Sequence, residues 1–319
     1  MNRSKIIIPV LVLSWIMFYA CTENINHIYI VDDGCIHDKD TIHGEVTDTS
    51  GSRILFNATI ESLNTKSMTM MGANEIASIY SYQGNPSDLS VPYRKVEYKT
   101  KTAGALVPFM KNDTLQVPHG SYSFYSISTN SDQAPPDFIN GYSAPLKNGI
   151  DYLWWRTVNY QVRAPLVIVP VFYTHSATQV VVKLIAGKGI TLDELVSAEI
   201  YPSAAGASMS EVTGIIPQTS SYNNQLVRMG HKDFYTQYTM LPLKTNKPMG
   251  AYFTVKINGE PQAKVYKVNI SLPVNGLEGG KSYLFEAIID ATNIEFTQVN
   301  VIDWVTVDQT GSPLYPSQI

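Results

Sequence analysis

Apolar and polar residues alternate with period two along much of this chain. Ile54, Phe56, Ala58 and Ile60 alternate with Leu55, Asn57 and Thr59, which predicts a half-buried strand. A turn at Pro118, His119 and Gly120 leads into an aromatic strand from Tyr122 to Ile127. Leu166–Val171 is a continuous apolar run bent by Pro170, and Val180, Val182 and Leu184 share one face of the next segment. Ala251, Phe253, Val255 and Ile257 also share a face. They lead into Asn258 and Gly259, a pair that tolerates positive φ and signals a hairpin with a return strand from Lys264 to Leu272. After a Gly-rich turn, Tyr283, Phe285, Ala287 and Ile289 alternate again. Ile294–Val307 is apolar but slips phase near Thr297 and Gln298, which predicts a bulge or kink. Gly72–Val91 reads as loop, with a turn signal at Asn85 and Pro86. One short helix is expected, because Thr191 and Glu194 form a capping box before Leu195 and Val196.

The prediction is therefore an all-β fold. At roughly 150 residues per domain, 319 residues suggest two domains. An internal similarity agrees: Leu115–Phe124 and Leu272–Phe285 each run from a turn into an aromatic alternating strand. The expected organisation is a leader over 1–20, a tether over 21–45, one β domain over 46–160 and a second over 161–319 carrying the terminal strands.

The leader changes the picture most. Arg3 and Lys5 precede an apolar run from Ile6 to Ala20, broken by Pro9 and Ser14. It is short for a span of ~20 residues and suits the core of a signal peptide. Cys21 follows at once, with the small Ala20 before it, so Cys21 is the expected lipidation site and a lipid the expected membrane anchor. A disulfide between Cys21 and Cys35 is the competing reading and excludes the lipid. Removing residues 1–20 leaves 21 basic against 27 acidic residues, a net charge of about −6. That balance argues against nucleic acid as a partner. Twenty tyrosines, with abundant Val, Ile and Thr, favour strands. Two cysteines rule out a disulfide scaffold and an all-cysteine zinc site.

Candidate chemistry is sparse, and neither a catalytic site nor a cofactor is expected. Asp32, Asp33, His37, Asp38, Asp40, His43 and Glu45 crowd one stretch. They match no metal-loop spacing and read as a solvated tether. Gly279, Gly280, Lys281 and Ser282 end like a phosphate loop, but Asn275 stands where the first glycine belongs and a strand follows, so the segment reads as a turn. His175 has no nucleophile motif beside it and reads as structural. Trp154 and Trp155 are candidate glycan-stacking residues, with core or interface packing as the alternative.

With these residues in place, the chain resembles the fimbrillins of the Bacteroidetes, the type V pilin clan. The resemblance is carried by the leader ending in Cys21, the strand Ile54–Ile60, and the run Asp151, Tyr152, Leu153, Trp154, Trp155. It continues through residues 169–184, with His175 in the motif position, and through 279–290 and 299–304. It covers most of residues 45–308. It implies two tandem transthyretin-like, Greek-key β-sandwich domains on an outer-membrane, cell-surface lipoprotein. It also implies a structural, tip or anchor subunit of a pilus, assembled with other pilin subunits by strand exchange, with adhesion to host or bacterial glycans or proteins. Family processing cuts after a basic residue before the first strand's second half, and Arg53 is the matching candidate. Ile294–Val307 is the candidate donor strand. The alternative is a monomeric carbohydrate-binding surface lipoprotein; a hydrolase on a β-fold is a third class, without motifs to support it.

Overall fold

The computed structural model describes residues 51–62, 68–89, 91–102 and 104–304. Cys21, Cys35 and the acidic stretch 32–45 lie outside the described residues. Among the described residues every regular element is a strand.

The first sheet begins with β1 (Ser52–Glu61), β2 (Met68–Met70), β3 (Ile76–Gln83), β4 (Arg94–Thr100), β5 (Ala105–Pro108), β6 (Gln116–Val117) and β7 (Gly120–Ser128). A small hairpin, β8 (Phe138–Ile139) and β9 (Tyr142–Ser143), intervenes. The sheet is completed by β10 (Leu153–Val162) and β11 (Leu166–His175). Its order is β11-β10-β7-β3-β4-β5-β1-β2, with β6 on β1, and β11 also pairs with β1, so the sheet closes on itself. Ile54, Phe56, Val96, Tyr98, Phe124, Leu153, Trp155, Val169 and Tyr173 fill its interior. Phe56 makes edge contacts with Tyr98 and Phe124 at 5.2 and 5.8 Å, the arrangement aromatic quadrupoles favour.

One five-stranded and one four-stranded sheet follow after only Ser176 and Ala177. One contains β12 (Thr178–Ala186), then β13 (Leu192–Ile200) belongs to the other, as does β14 (Val227–Arg228). β15 (Gly230–Lys232) and β16 (Tyr235–Met240) join β12, while β17 (Met249–Ile257) and β18 (Lys264–Ile270) join β13. β19 (Ser282–Ile289) and β20 (Ile294–Ile302) end the described chain. The orders are β15-β16-β12-β19-β20 and β14-β13-β17-β18. Their apolar faces share one core, from Val180, Val182 and Leu184 through Phe253, Val255 and Ile257 to Tyr283 and Phe285. That is a β-sandwich. The strand Leu166–His175, beyond the expected boundary at residue 160, belongs to the first sheet, and the irregularity at Val158 and Asn159 is a bulge inside β10.

The alternating segments fold as expected. Asn258 and Gly259 take φ of 55° and 68° between β17 and β18. The phase slip in β20 is a bulge at Thr297: Glu286 faces Gln298 while the next residue, Ala287, faces Phe296.

Two expectations are corrected. The Thr191–Val196 segment is strand, not helix. Glu194 pairs with Lys256 at 2.6 Å across β13 and β17, and Asn258 Oδ1 accepts from the Thr191 N–H at 2.8 Å. Two register shifts in this pairing let Leu195, Ala198 and Ile200 all reach the core, so tertiary burial overrides a local capping signal. Within the expected loop 72–91 lies β3, a central strand between β4 and β7. Its two faces are both buried, which erases the alternation a half-buried strand would show. Ala77 and Ile79 face the first core, while Tyr80 and Tyr82 pack with Tyr125, Phe138, Met209 and Ile216 on the sheet's outer side.

Candidate functional site

The geometry that distinguishes this molecule lies in the first and last described strands. β1 enters at Arg53 and runs parallel to β11 for eight residue pairs, from Arg53 beside Leu166 to Ile60 beside Tyr173. Its other side pairs with β6, β5 and β2. Ile54, Phe56 and Ala58 are buried. At ~1.5–3 kcal/mol for each large side chain, β1 contributes several kcal/mol to the first core, an upper estimate. The Arg53 N–H donates to Pro165 O at 2.8 Å and the Ile54 N–H to Leu115 O at 2.9 Å. The Arg53 side chain is exposed, but the peptide bond after it lies inside the sheet.

β20 is the opposite case. Among the described residues it pairs with β19 on one side and forms the edge of its sheet on the other. Ile294 is buried and Phe296 packs on the core. The Thr297 bulge then restores the phase, so Val299 and Val301 face the same way as their partners Phe285 and Tyr283. Those partners are buried, yet Val299 is 38% and Val301 43% exposed. The core face of this edge strand is therefore bare toward its end. An edge with unpaired backbone groups and exposed apolar side chains can accept another strand.

Beyond β20 the chain is pinned. Trp304 stacks on His175, and its Nε1 donates to Gly280 O at 3.0 Å. His175 Nδ1 lies 2.8 Å from Asp151 Oδ1, and Asp151 Oδ2 accepts from Asn130 Nδ2 at 2.9 Å. This chain of contacts explains why His175 ends β11: it links the first sheet, the loop before β10 and the last residues described. Glu75 stands nearby, and its carboxyl is pushed up to about 7 by burial, aided by the Asp151 charge. The turn at 279–281 is a backbone crossing, since a Cβ at Gly279 would lie 2.6 Å from Ser176 O.

The two tryptophans part ways. Trp155 is buried in the first core. Trp154 is half-buried and lines a cleft of about 190 Å³ with Thr174, His175, Thr213, Gly214 and Ile215. Its Nε1 donates to Glu211 O at 2.8 Å, and a Cβ at Gly214 would fall 2.3 Å from its ring. Arg156 lies 5.9 Å from the ring centre. Sequence reasoning missed Asp151, Trp304 and Glu211 as partners. The closing tryptophan was visible in the sequence, but its contact with a histidine 129 positions earlier carries no local signal. Among the described residues no group of three or more His, Cys, Asp or Glu is placed to hold a metal ion.

Comparison with known proteins agrees with this architecture. The family described as fimbrillin-like matches residues 64–304. No curated protein matches. Among solved structures, a candidate cell adhesion protein from Bacteroides ovatus superposes with a TM-score of 0.58 at 17% identity, covering 81% of this chain and 99% of that one. A second, from Bacteroides uniformis, gives 0.57 at 15% identity, with 80% and 99% covered. A third, from Bacteroides fragilis, gives 0.52 at 15% identity over the same shares. At these identities the structural likeness establishes the fold.

Proposed function

This chain belongs to the fimbrillin-like family, and on that premise we propose that it is a lipid-anchored, non-catalytic pilus subunit of the outer membrane, built of two sandwich domains and joined to neighbours by strand exchange. Cys21 is the acylated residue, and more than one acyl chain gives a stable anchor. The observation that carries the reading is the bare core face of β20, with Val299 and Val301 exposed beside buried Phe285 and Tyr283. A strand from a neighbouring subunit laid along this edge buries both valines and pairs the free backbone groups.

Cleavage after Arg53, which releases the anchored precursor from the lipid on Cys21, is the second part of the proposal. Because the bond after Arg53 is hydrogen-bonded into the sheet on both sides, a protease reaches it only before β1 docks or while β1 is peeled from β11. Cleavage there removes only Ser52 and Arg53 from β1 and leaves Ile54 at the new N-terminus, free to peel from β11 and open the apolar interior beneath Ile54 and Phe56 to an incoming strand. A carbohydrate-binding role for Trp154 draws less support, because Gly214 and Arg156 already lie against its ring.

The test is the double variant Val299→Lys, Val301→Lys in the full chain. The subunit should fold with an unchanged circular dichroism spectrum, while boiling-resistant ladders disappear from surface fractions. Ladders of normal length from a folded double variant would refute the strand-exchange reading.

A further inference from the structure

A buried acid lies away from β1 and β20. Glu211 is fully buried, and its segment covers the outer face of β3 and β7. The Glu211 N–H donates to Gly141 O at 2.8 Å, and Met209 exchanges bonds with Ser143, its N–H to Ser143 Oγ and the Ser143 N–H to its carbonyl, both at 2.9 Å. Met209 and Ile216 pack on Tyr82 and Tyr125.

The proton count at this site is informative. Tyr82 Oη lies 2.9 Å from Glu211 Oε1 and 3.1 Å from Leu89 O. Tyr82 carries one hydroxyl hydrogen, so an ionised Glu211 leaves one of these two buried oxygens facing lone pairs. A protonated Glu211 resolves this: it donates to Tyr82 Oη, and Tyr82 donates to Leu89 O. The second carboxyl oxygen, Oε2, has no partner, which a neutral carbonyl tolerates far better than half of a carboxylate charge. We propose that Glu211 is protonated in the folded chain and donates to Tyr82, so that docking of residues 203–216 on the first sheet takes up a proton.

Among the described residues no cation acts directly on the Glu211 carboxyl. From β3 the acid faces Tyr80 and Tyr82, and from β7 Tyr125. Asp137 acts on Tyr80 and Arg156 on Tyr125, one step removed; β10 presents Trp154, whose indole N–H is spent on the Glu211 carbonyl. Burial pushes the Glu211 carboxyl up to about 7, with the Tyr82 bond opposing. The native value lies above the ordinary 4.5, so the stabilisation is complete below about 4.5 and is lost as pH rises toward 7.

The inference is independent of the assembly reading and is tested on the monomeric full chain. Hydrogen exchange of the Glu211 and Gly214 amides, corrected for intrinsic rates, reports opening of the segment. Wild-type protection should fall by up to about tenfold per pH unit between pH ~5 and ~7 and then level off. In Glu211→Gln the side-chain amide can donate to Tyr82, and protection should stay constant over that range. Parallel wild-type and variant curves would overturn the proposal. If the variant fails to fold, the ¹³C-carboxyl titration of Glu211 in the wild type decides: a midpoint above about 6 upholds the proposal, and one near 4.5 overturns it.

Discussion

The indole of Trp304 lies flat on the imidazole of His175, with ring centres 4.0 Å apart and planes 4° from parallel. His175 closes the last strand of the first sheet, and Trp304 follows the last strand of the second, so this stack ties the exit of β20 to the first sheet. Asp151 holds the imidazole from the other direction. The site reads as a clasp that fixes the end of β20 against the first sheet.

Trp304→Ala removes the stack and the bond to Gly280 O. Such ring pairs contribute about 0.5–1.5 kcal/mol beyond area burial, and the lost bond adds about 1 kcal/mol. We expect a thermal midpoint lower by about 4–8 °C in a calorimetric scan, with Trp304→Phe recovering part of the loss.

The stability carried by β1 is testable in the same manner. Phe56→Ala deletes a ring fully enclosed between Tyr98 and Phe124. Equilibrium urea unfolding should show a loss of about 3–5 kcal/mol. The exposed Asn57 on the same strand should tolerate alanine within about 0.5 kcal/mol.

How much of this was legible in the sequence depends on burial. β1, β17 and β19 each bury mainly one face, so alternation announced them, and the Thr297 bulge showed as a slip in phase. β3 buries both faces and reads as an unpatterned run of Ile, Ala, Ser and Tyr. β13 carries a capping-box pattern at Thr191 and Glu194 that favours a helix locally, and its two register shifts hide the alternation that would mark it as a strand. The clasp was half visible: His175 and Trp304 stood in recognisable segments, but nothing local joins them to each other or to Asp151. Glu211 sits in an irregular stretch with no period, and its partner Tyr82 is 129 positions away.

Glu75 predicts a pH dependence separable from that of Glu211. Its carboxyl is raised by burial to about 7 from 4.5, so the folded state holds a proton that the unfolded state releases. Stability should be greatest below about pH 4.5 as far as this group is concerned, and should fall as pH rises toward 7, by on the order of 2 kcal/mol after allowance for partial solvation. Urea midpoints of wild type and Glu75→Gln, compared at pH 5 and pH 7.5, should converge at the lower pH with the variant the more stable at the higher.

Maturation gives a chemical prediction. Labelled palmitate should attach to the wild type and not to Cys21→Ala, and Edman sequencing of assembled material should yield Ile54 as first residue. Arg53→Ala should abolish that N-terminus and leave the longer chain. A mature subunit that always begins at Cys21 would remove the processing step from the account.

The most direct test of the whole account is hydrogen exchange along Ile294–Ile302, measured by mass spectrometry on the isolated subunit and on assembled material from the cell surface. The account predicts that amides on the free side of β20 exchange quickly in the isolated subunit and become at least a hundredfold slower, by about 3 kcal/mol, once a neighbour's strand is in place, while β17 is unchanged. Equal exchange in the two states would mean that this edge takes no part in assembly.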